Sequence, residues 1–133
     1  MAMIHCQPKM PIASQKLAML PSIDINMLSE RCMGNCALVE KLRTAFLSSL
    51  PSERNLLRDA IEICDLSSVA RIAHKLRGTA SNMCAIPLSE AAHQVEQVAR
   101  NNEVHLIAQR WLDLNQHIEK LIDALSVRDS NQL

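Results

Sequence analysis

The sequence predicts an all-α protein, an antiparallel four-helix bundle with a short extra helix at its N-terminal end. Hydrophobic residues make up 48% of the 133 residues but aromatic ones only 2%, so aliphatic side chains must fill the core, which suits helices better than sheets. Two glycines and five prolines are too few for the turns of many strands. Apolar residues also recur at helical spacing along most of the chain. The length predicts one domain.

The N-terminal end of the chain is predicted to be an arm followed by a short helix. Residues 1–21 contain three prolines among residues of mixed polarity, which is typical of an arm or linker. Ser22 or Asp24 can cap a helix over Ile25–Cys32, and Gly34 is suited to close it. We expect this short helix to pack at one end of the bundle.

The first bundle member is predicted over residues 36–64, with a bend at Pro51. Asn35 can cap its start, and a proline inside a helix removes one hydrogen bond and kinks the rod. Alternatively, Ser52 caps a separate helix. The face expected to be buried follows the helical spacing of Leu38, Leu42, Ala45, Phe46, Ser49, Leu56, Leu57, Ala60, Ile61 and Cys64.

Three further members complete the predicted bundle, over residues 65–84, 88–101 and 104–126. Asp65 is a good N-cap for the first of them, and Pro87 breaks the chain and can start the next. Because the connections are short, neighbouring helices should run antiparallel. The bundle domain is therefore predicted to span 22–127, with a polar tail over 128–133.

The helix predicted over 65–84 has one apolar side and presents His74 on the other. The apolar side consists of Leu66, Val69, Ile72, Ala73, Leu76, Ala80 and Met83. At about 100° per residue, His74 lies about 150° from the centre of that side and should face water. Small and basic residues lie within about 60° of it, namely Ser67, Ala70, Arg71, Arg77, Gly78 and Ser81.

Gly78 is unusual on such a face, because glycine in an exposed helix costs about 1 kcal/mol relative to alanine. It lies one turn after His74, where it removes a side chain that would crowd the imidazole and lets another molecule approach. Alternatively, Gly78 marks a helix end and Thr79 starts a new element. The spacing favours the first interpretation, since it continues through Ala80 and Met83.

A distinctive run of residues surrounds His74, extending from Ala73 through His74-Lys75-Leu76-Arg77-Gly78 to Ala80, Ala85 and Leu88. This run resembles the signature of histidine-containing phosphotransfer (HPt) domains, Ala-His-x-Leu-Lys-Gly, then Gly-Ala about six residues on, then Leu. Arg77 replaces the usual lysine, which keeps the charge but changes its geometry. Cys84 stands where glycine is common, which leaves the end of the helix open. The resemblance covers roughly residues 23–125.

The resemblance implies a phosphorelay intermediate. His74 would accept a phosphoryl group on Nε2 from the aspartyl phosphate of a receiver domain and pass it to another receiver. The implied docking face surrounds Gly78 and includes Ser67, Ala70, Arg71 and Ser81. The receiver would bring Mg²⁺, so the chain should need no cofactor of its own. The expected partners are receiver domains of response regulators, a hybrid sensor histidine kinase, or both, and the chain is expected to be a monomer and not an enzyme.

The residues themselves agree with this chemistry. An exposed imidazole near neutral pH has an unprotonated nitrogen and is a competent nucleophile towards phosphorus. Arg77 first, then Lys75 and Arg71, are placed to offset the charge of a phosphoryl group. The sequence contains no Walker loop, kinase glycine loop or obvious paired-carboxylate metal site. The phosphoryl group on His74 should therefore come from another protein.

His93 and Glu96 are three residues apart and share a face of the following helix. In the chemotaxis-kinase members of the resembled family, a histidine and a glutamate at this spacing lie beside the phosphoacceptor and orient its imidazole. The resemblance therefore implies that role for this pair. The alternative is that Glu96 is an ordinary solvated helix residue.

Other functional classes fit less well. Fourteen basic and 14 acidic residues give no net charge, which argues against a nucleic-acid binder. No apolar run approaches the ~18–20 residues that span a bilayer, and the N-terminus lacks a signal-peptide core, so the cytoplasm is expected. Five cysteines without regular spacing fit reduced thiols. Buried thiols are preferred to a metal site for Cys32 and Cys36, since Gly34 lies between them. The competing function is a catalytically silent helical adaptor, and a metal-binding bundle is a remote third.

Overall fold

The computed structural model describes residues 23–132, with side chains described as far as Asp123. Within this range the chain forms five helices and no strand, namely α1 (Ile25–Arg31), α2 (Cys36–Glu62), α3 (Leu66–Asn82), α4 (Ile86–Arg100) and α5 (Val104–Gln132). The prediction of an all-α protein is confirmed. The predicted arm over residues 1–21 lies outside the described residues.

Three of the helices begin at side-chain caps that the sequence predicts. The carboxylate of Asp24 and the amide oxygen of Asn35 each accept a hydrogen bond at 3.0 Å from the backbone N–H three residues later. Asp65 accepts from the backbone N–H of Ser68 at 3.2 Å and from its hydroxyl at 2.7 Å. The Ser68 hydroxyl, followed by its backbone N–H, holds the pKa of Asp65 below its usual value. The starts of α1, α2 and α3 are therefore fixed locally.

Four helices are followed, two positions after their last residue, by a non-glycine residue with positive φ, and these residues are Met33, Cys64, Cys84 and Asn102. At each end the next backbone N–H donates to a carbonyl five residues back, as Ala85 does to Ala80 at 2.8 Å. Helix α3 accordingly ends at Asn82, not at residue 84 as predicted. Cys84, at φ 59°, takes the left-handed conformation that glycine adopts most easily. This explains why the resembled signature usually has glycine there.

Helix α2 is continuous through Pro51, so the alternative of a separate helix capped by Ser52 is wrong. The predicted buried face is confirmed at Phe46, Leu57 and Ala60 but is wrong at six other positions. The residues that are buried are Val39, Arg43, Phe46, Leu47, Leu50, Leu57 and Ala60. Those predicted to be buried but found exposed are Leu38, Leu42, Ala45, Ser49, Leu56 and Cys64. Adjacent apolar pairs such as Leu38–Val39 fit either of two faces about 100° apart, and packing selects one.

The last two helices differ from their predicted limits for simple reasons. Helix α4 begins at Ile86 rather than Leu88, with Pro87 in the first turn, where its missing N–H is not needed. Helix α5 continues to Gln132, beyond the predicted end at residue 126 and into the predicted polar tail. The segment after residue 126 contains neither proline nor glycine, so nothing in it stops the helix.

The four longer helices pack around one core, with α3 against α4, α4 against α5, and α2 against both α3 and α5. The short helix α1 is joined to the end of α3, because the N–H of Asp24 donates to the carbonyl of Cys84 at 2.9 Å. The Arg31 guanidinium donates to two more carbonyls there, at 3.3 Å each. Among residues 23–132, no helix combines the length and apolar character needed to cross a membrane.

Candidate functional site

His74 lies in the middle of α3 and points away from the core, as predicted. Its side chain is 57% exposed. The opposite side of α3 is buried at Val69, Ile72, Ala73, Leu76 and Ala80, with Met83 buried just beyond the helix. Leu66, also predicted for that side, is half-buried. The apolar spacing of α3 thus fixes the outward direction of the histidine.

A buried carboxylate from α4 lies directly beside His74. The Glu96 side chain is only 5% exposed, and its Oε2 is 2.9 Å from Nδ1 of His74. Arg77 donates from Nε to Oε1 of Glu96 at 3.1 Å, and Arg100 donates from Nε to Oε2 at 2.9 Å. The alternative of a solvated Glu96 is wrong, since three side chains converge on this one carboxylate.

The environment of Glu96 keeps it ionised. Burial acts to raise its pKa, but hydrogen bonds from Arg100 and His74, with the charge of Arg77, outweigh burial and lower the pKa from its ordinary value. An ionised carboxylate can only accept hydrogen bonds, so the 2.9 Å contact places the imidazole proton on Nδ1 of His74. Nη2 of Arg77, 3.2 Å from the same nitrogen, is then in contact with it without a hydrogen bond.

This assignment leaves the other ring nitrogen of His74 available. With the proton on Nδ1, the lone pair of a neutral imidazole is on Nε2. No hydrogen bond to Nε2 is formed by any side chain or backbone group in the described part of the chain. In its neutral form the imidazole therefore presents an oriented nitrogen lone pair on an exposed helix surface, which is what nucleophilic attack requires.

The basic residues near His74 do not all act at its ring. Arg77, ranked first from the sequence, contacts both the ring and Glu96. Lys75 instead forms an ion pair with Glu53 of α2, with Nζ 3.6 Å from Oε2. Sequence reasoning missed Arg100, although its position four residues after Glu96 was a usable signal, because such residues are neighbours on a helix surface.

Gly78 lies inside α3, so the alternative of a helix end at this residue is wrong. A Cβ atom built on Gly78 would meet nothing within 4 Å. The surface beside His74 is therefore open at this position. Ser67 and Ser81 are exposed, as predicted for this face.

Ala70 departs from the prediction, since it is buried at 6% exposure. It lines a groove together with Ala99 and Arg100 from the end of α4. The helical wheel of α3 alone places Ala70 towards water, but it cannot include the neighbouring helix, which covers most of the residue and leaves the rest in the groove.

His93 and Glu96, predicted to act together on His74, have different contacts in the structure. Glu96 contacts His74, whereas His93 forms no hydrogen bond with it among the described residues. His93 is half-buried, and its Nδ1 atom is buried without a hydrogen-bond partner among them. The geometry therefore supports the orienting role implied for Glu96 and gives none to His93.

The cysteines are free thiols in the described residues. Cys32 and Cys84 are buried, while Cys36 and Cys64 are exposed, so the expectation of buried thiols for the pair Cys32 and Cys36 is wrong for Cys36. Burial raises the pKa of the Cys84 thiol. No group of three or more His, Cys, Asp or Glu side chains between residues 23 and 132 is arranged to hold a metal ion.

A helical domain that orients one exposed histidine beside an open helix surface has the arrangement of a phosphotransfer domain. The sequence model of the Hpt domain family matches residues 41–131, more than half of the chain, and the chain belongs to this family. Hpt domains are phosphocarriers rather than enzymes, and they work with receiver domains in phosphorelays. No curated protein matches the chain.

Two solved structures have a similar fold. One is histidine-containing phosphotransfer protein B (HptB) from Pseudomonas aeruginosa PAO1, at 18% sequence identity and a TM-score of 0.73. The other is the HPT domain of a sensor hybrid histidine kinase from Shewanella, at 18% identity and a TM-score of 0.70. Each similarity covers 84% of this chain and 96% of the other chain. At this level of identity the two structures support the fold.

Proposed function

We propose that this protein is a phosphorelay intermediate in which His74 accepts a phosphoryl group from a receiver-domain aspartate and passes it to another receiver. The observation that carries the proposal is the 2.9 Å contact between Nδ1 of His74 and the buried carboxylate of Glu96. A solvent-facing histidine on a helix usually has no such partner. Here the contact fixes both the ring orientation and the position of its proton.

The proposed reaction balances without any further group from this chain. The Nε2 lone pair of His74 attacks the phosphorus of the aspartyl phosphate, a P–N bond forms, and the P–O bond to the aspartate breaks. The electron pair of that bond leaves with the aspartate as a carboxylate. The imidazole ring gains positive charge during attack, and Glu96 stabilises it through the Nδ1 proton. Transfer to the next receiver is the reverse process.

The basic side chains around His74 can offset the negative charge of the phosphohistidine that the reaction forms. Arg77 lies within 3.2 Å of the imidazole and can turn a guanidinium N–H towards the phosphoryl oxygens. Lys75 is paired with Glu53, and neither Lys75 nor Arg71 has a hydrogen bond to the His74 ring among the described residues, so both would act mainly through the surface potential. Gly78 leaves the approach open for the partner.

The remaining parts of the proposal concern the partners and the setting. The receiver supplies Mg²⁺, and the chain needs no cofactor or ATP site of its own. The proposed fold is an antiparallel four-helix bundle with a short N-terminal helix. The order of the helices and the pairs of helices that pack together support it. The protein acts in the cytoplasm of a bacterium as a monomer. Its partners are response-regulator receivers, a hybrid sensor histidine kinase, or both.

Label transfer from a ³²P-phosphorylated receiver domain tests the proposal. The wild type should acquire acid-labile, alkali-stable label, and His74→Gln should acquire none. His105→Gln, at another exposed histidine, is the matched control and should be labelled like the wild type. Direct phosphorylation with phosphoramidate shows independently whether His74 reacts. A silent adaptor would bind the receiver and gain no label, and that result would contradict the proposal.

A further inference from the structure

A groove runs along the surface on the N-terminal side of His74, between the first half of α3 and the end of α4. Its volume is about 560 Å³, within the roughly 300–1,000 Å³ typical of ligand clefts. Ala70 and Ala99 are buried and form an apolar floor. Arg71 and Arg100 stand beside that floor, and His74 closes one end.

The charge around this groove is unbalanced. Helices α3 and α4 carry four basic residues, and these are Arg71, Lys75, Arg77 and Arg100. Three of the four are already in ion pairs, Lys75 with Glu53 and the other two with Glu96. Within the described part of the chain, Arg71 alone of the four has neither an ion pair nor a hydrogen bond.

The carboxylate of Asp65 does not change this balance. The charge of Arg71 contributes to lowering the pKa of Asp65, but the Asp65 carboxylate is used by the backbone N–H and hydroxyl of Ser68. The Arg71 guanidinium therefore keeps its donors for another molecule. A planar guanidinium binds a carboxylate through two parallel hydrogen bonds, which makes arginine well suited to an acidic partner.

From this combination we infer that the groove receives an acidic segment of the receiver domain, in which an apolar side chain lies on Ala70 and Ala99 and a carboxylate pairs with Arg71. The inference rests on the proposed function, which makes a receiver the partner, and it adds the chemistry of the contact. A free phosphate ion would use the arginines but leave the apolar floor uncovered. A protein segment uses both features. Arg71 then determines which receivers bind.

Binding measurements separate this inference from the transfer chemistry. Calorimetric titration with one unphosphorylated receiver domain is carried out on the full chain and on its Arg71→Gln and Arg71→Glu variants. We expect Kd to rise about threefold for Arg71→Gln and about tenfold for Arg71→Glu. Lys41→Glu is the matched charge reversal, at an exposed residue near the start of α2, and should leave Kd unchanged.

Salt dependence provides a readout that a merely structural role would not change. Raising the ionic strength should weaken binding of the wild type more than binding of Arg71→Gln, because the screened ion pair is missing in the variant. A Kd for Arg71→Glu within twofold of the wild type would overturn the inference. So would competition by inorganic phosphate that Arg71→Glu abolishes, because the groove would then be a site for free anions. A wild type that binds the receiver but gains no label contradicts the proposed function alone.

Discussion

Replacing Glu96 with glutamine removes the negative charge that His74, Arg77 and Arg100 share. The side chain keeps its size but has one accepting oxygen for three donors, and its NH₂ group would face a donor. The proton of the imidazole is then no longer held on Nδ1. A larger fraction of His74 carries its proton on Nε2, where it blocks the nitrogen that should attack phosphorus.

The expected size of the effect follows from the exposure of the groups. A hydrogen bond to a charged group contributes about 1.5–3 kcal/mol, and His74 is 57% exposed, so solvent replaces part of that contribution. The low end of this range is close to the value of about 1.4 kcal/mol that corresponds to a tenfold change in an equilibrium constant. We therefore expect phosphoryl transfer about tenfold slower in Glu96→Gln. Stability should fall by only about 1 kcal/mol, since Arg77 and Arg100 are 38% and 53% exposed and regain water.

The assay is rapid-quench transfer from a phosphorylated receiver, together with ¹⁵N NMR of the His74 ring to identify the protonated nitrogen. Glu90→Gln is the matched control, because Glu90 lies on the same helix but is exposed and bonds only Gln94 among the described residues. It should transfer at the wild-type rate. Transfer by Glu96→Gln within twofold of wild type, or a ring proton that stays on Nδ1 in this variant, would refute the argument.

Three further predictions concern stability. Gly78→Ala should stabilise the protein by about 1 kcal/mol, because the new Cβ meets nothing within 4 Å, and thermal melts measure this. Gly78→Gln should keep the helix but slow phosphoryl transfer, and melts together with transfer rates check both expectations. Cys64→Gly should raise the melting temperature, because the exposed Cys64 has φ 56°, while Cys36→Gly, in the first turn of α2, should lower it. Acidification should destabilise the wild type, because the pKa of Glu96 is lowered from 4.5 in the folded protein. Its contribution to the free energy of unfolding is complete above 4.5 and is lost as the pH falls through the folded-state pKa. Urea melts between pH 7 and pH 3 should show a flatter profile for Glu96→Gln, and identical profiles would contradict the ionised state of Glu96.

Much of the fold follows from the sequence because the responsible interactions are local. The N-caps at Asp24, Asn35 and Asp65 involve residues three apart, so a short segment contains all the information. The outward direction of His74 follows from the one-sided apolar spacing of α3. The same reasoning was only partly right on α2, where adjacent apolar residues such as Leu38 and Val39 allow two faces.

What only the tertiary structure decides is which distant side chains meet. Glu96 lies 22 positions from His74, and its distance to the ring depends on how α3 and α4 pack, which no helical wheel contains. The same packing buries Ala70 and leaves Arg71 beside a groove, while contact with α2 pairs Lys75 with Glu53. The sequence by itself therefore determines a helix that exposes His74. The packing of a second helix against it brings a carboxylate into contact with the ring. The burial of many apolar residues, rather than the charge of Glu96, sets the position of that helix.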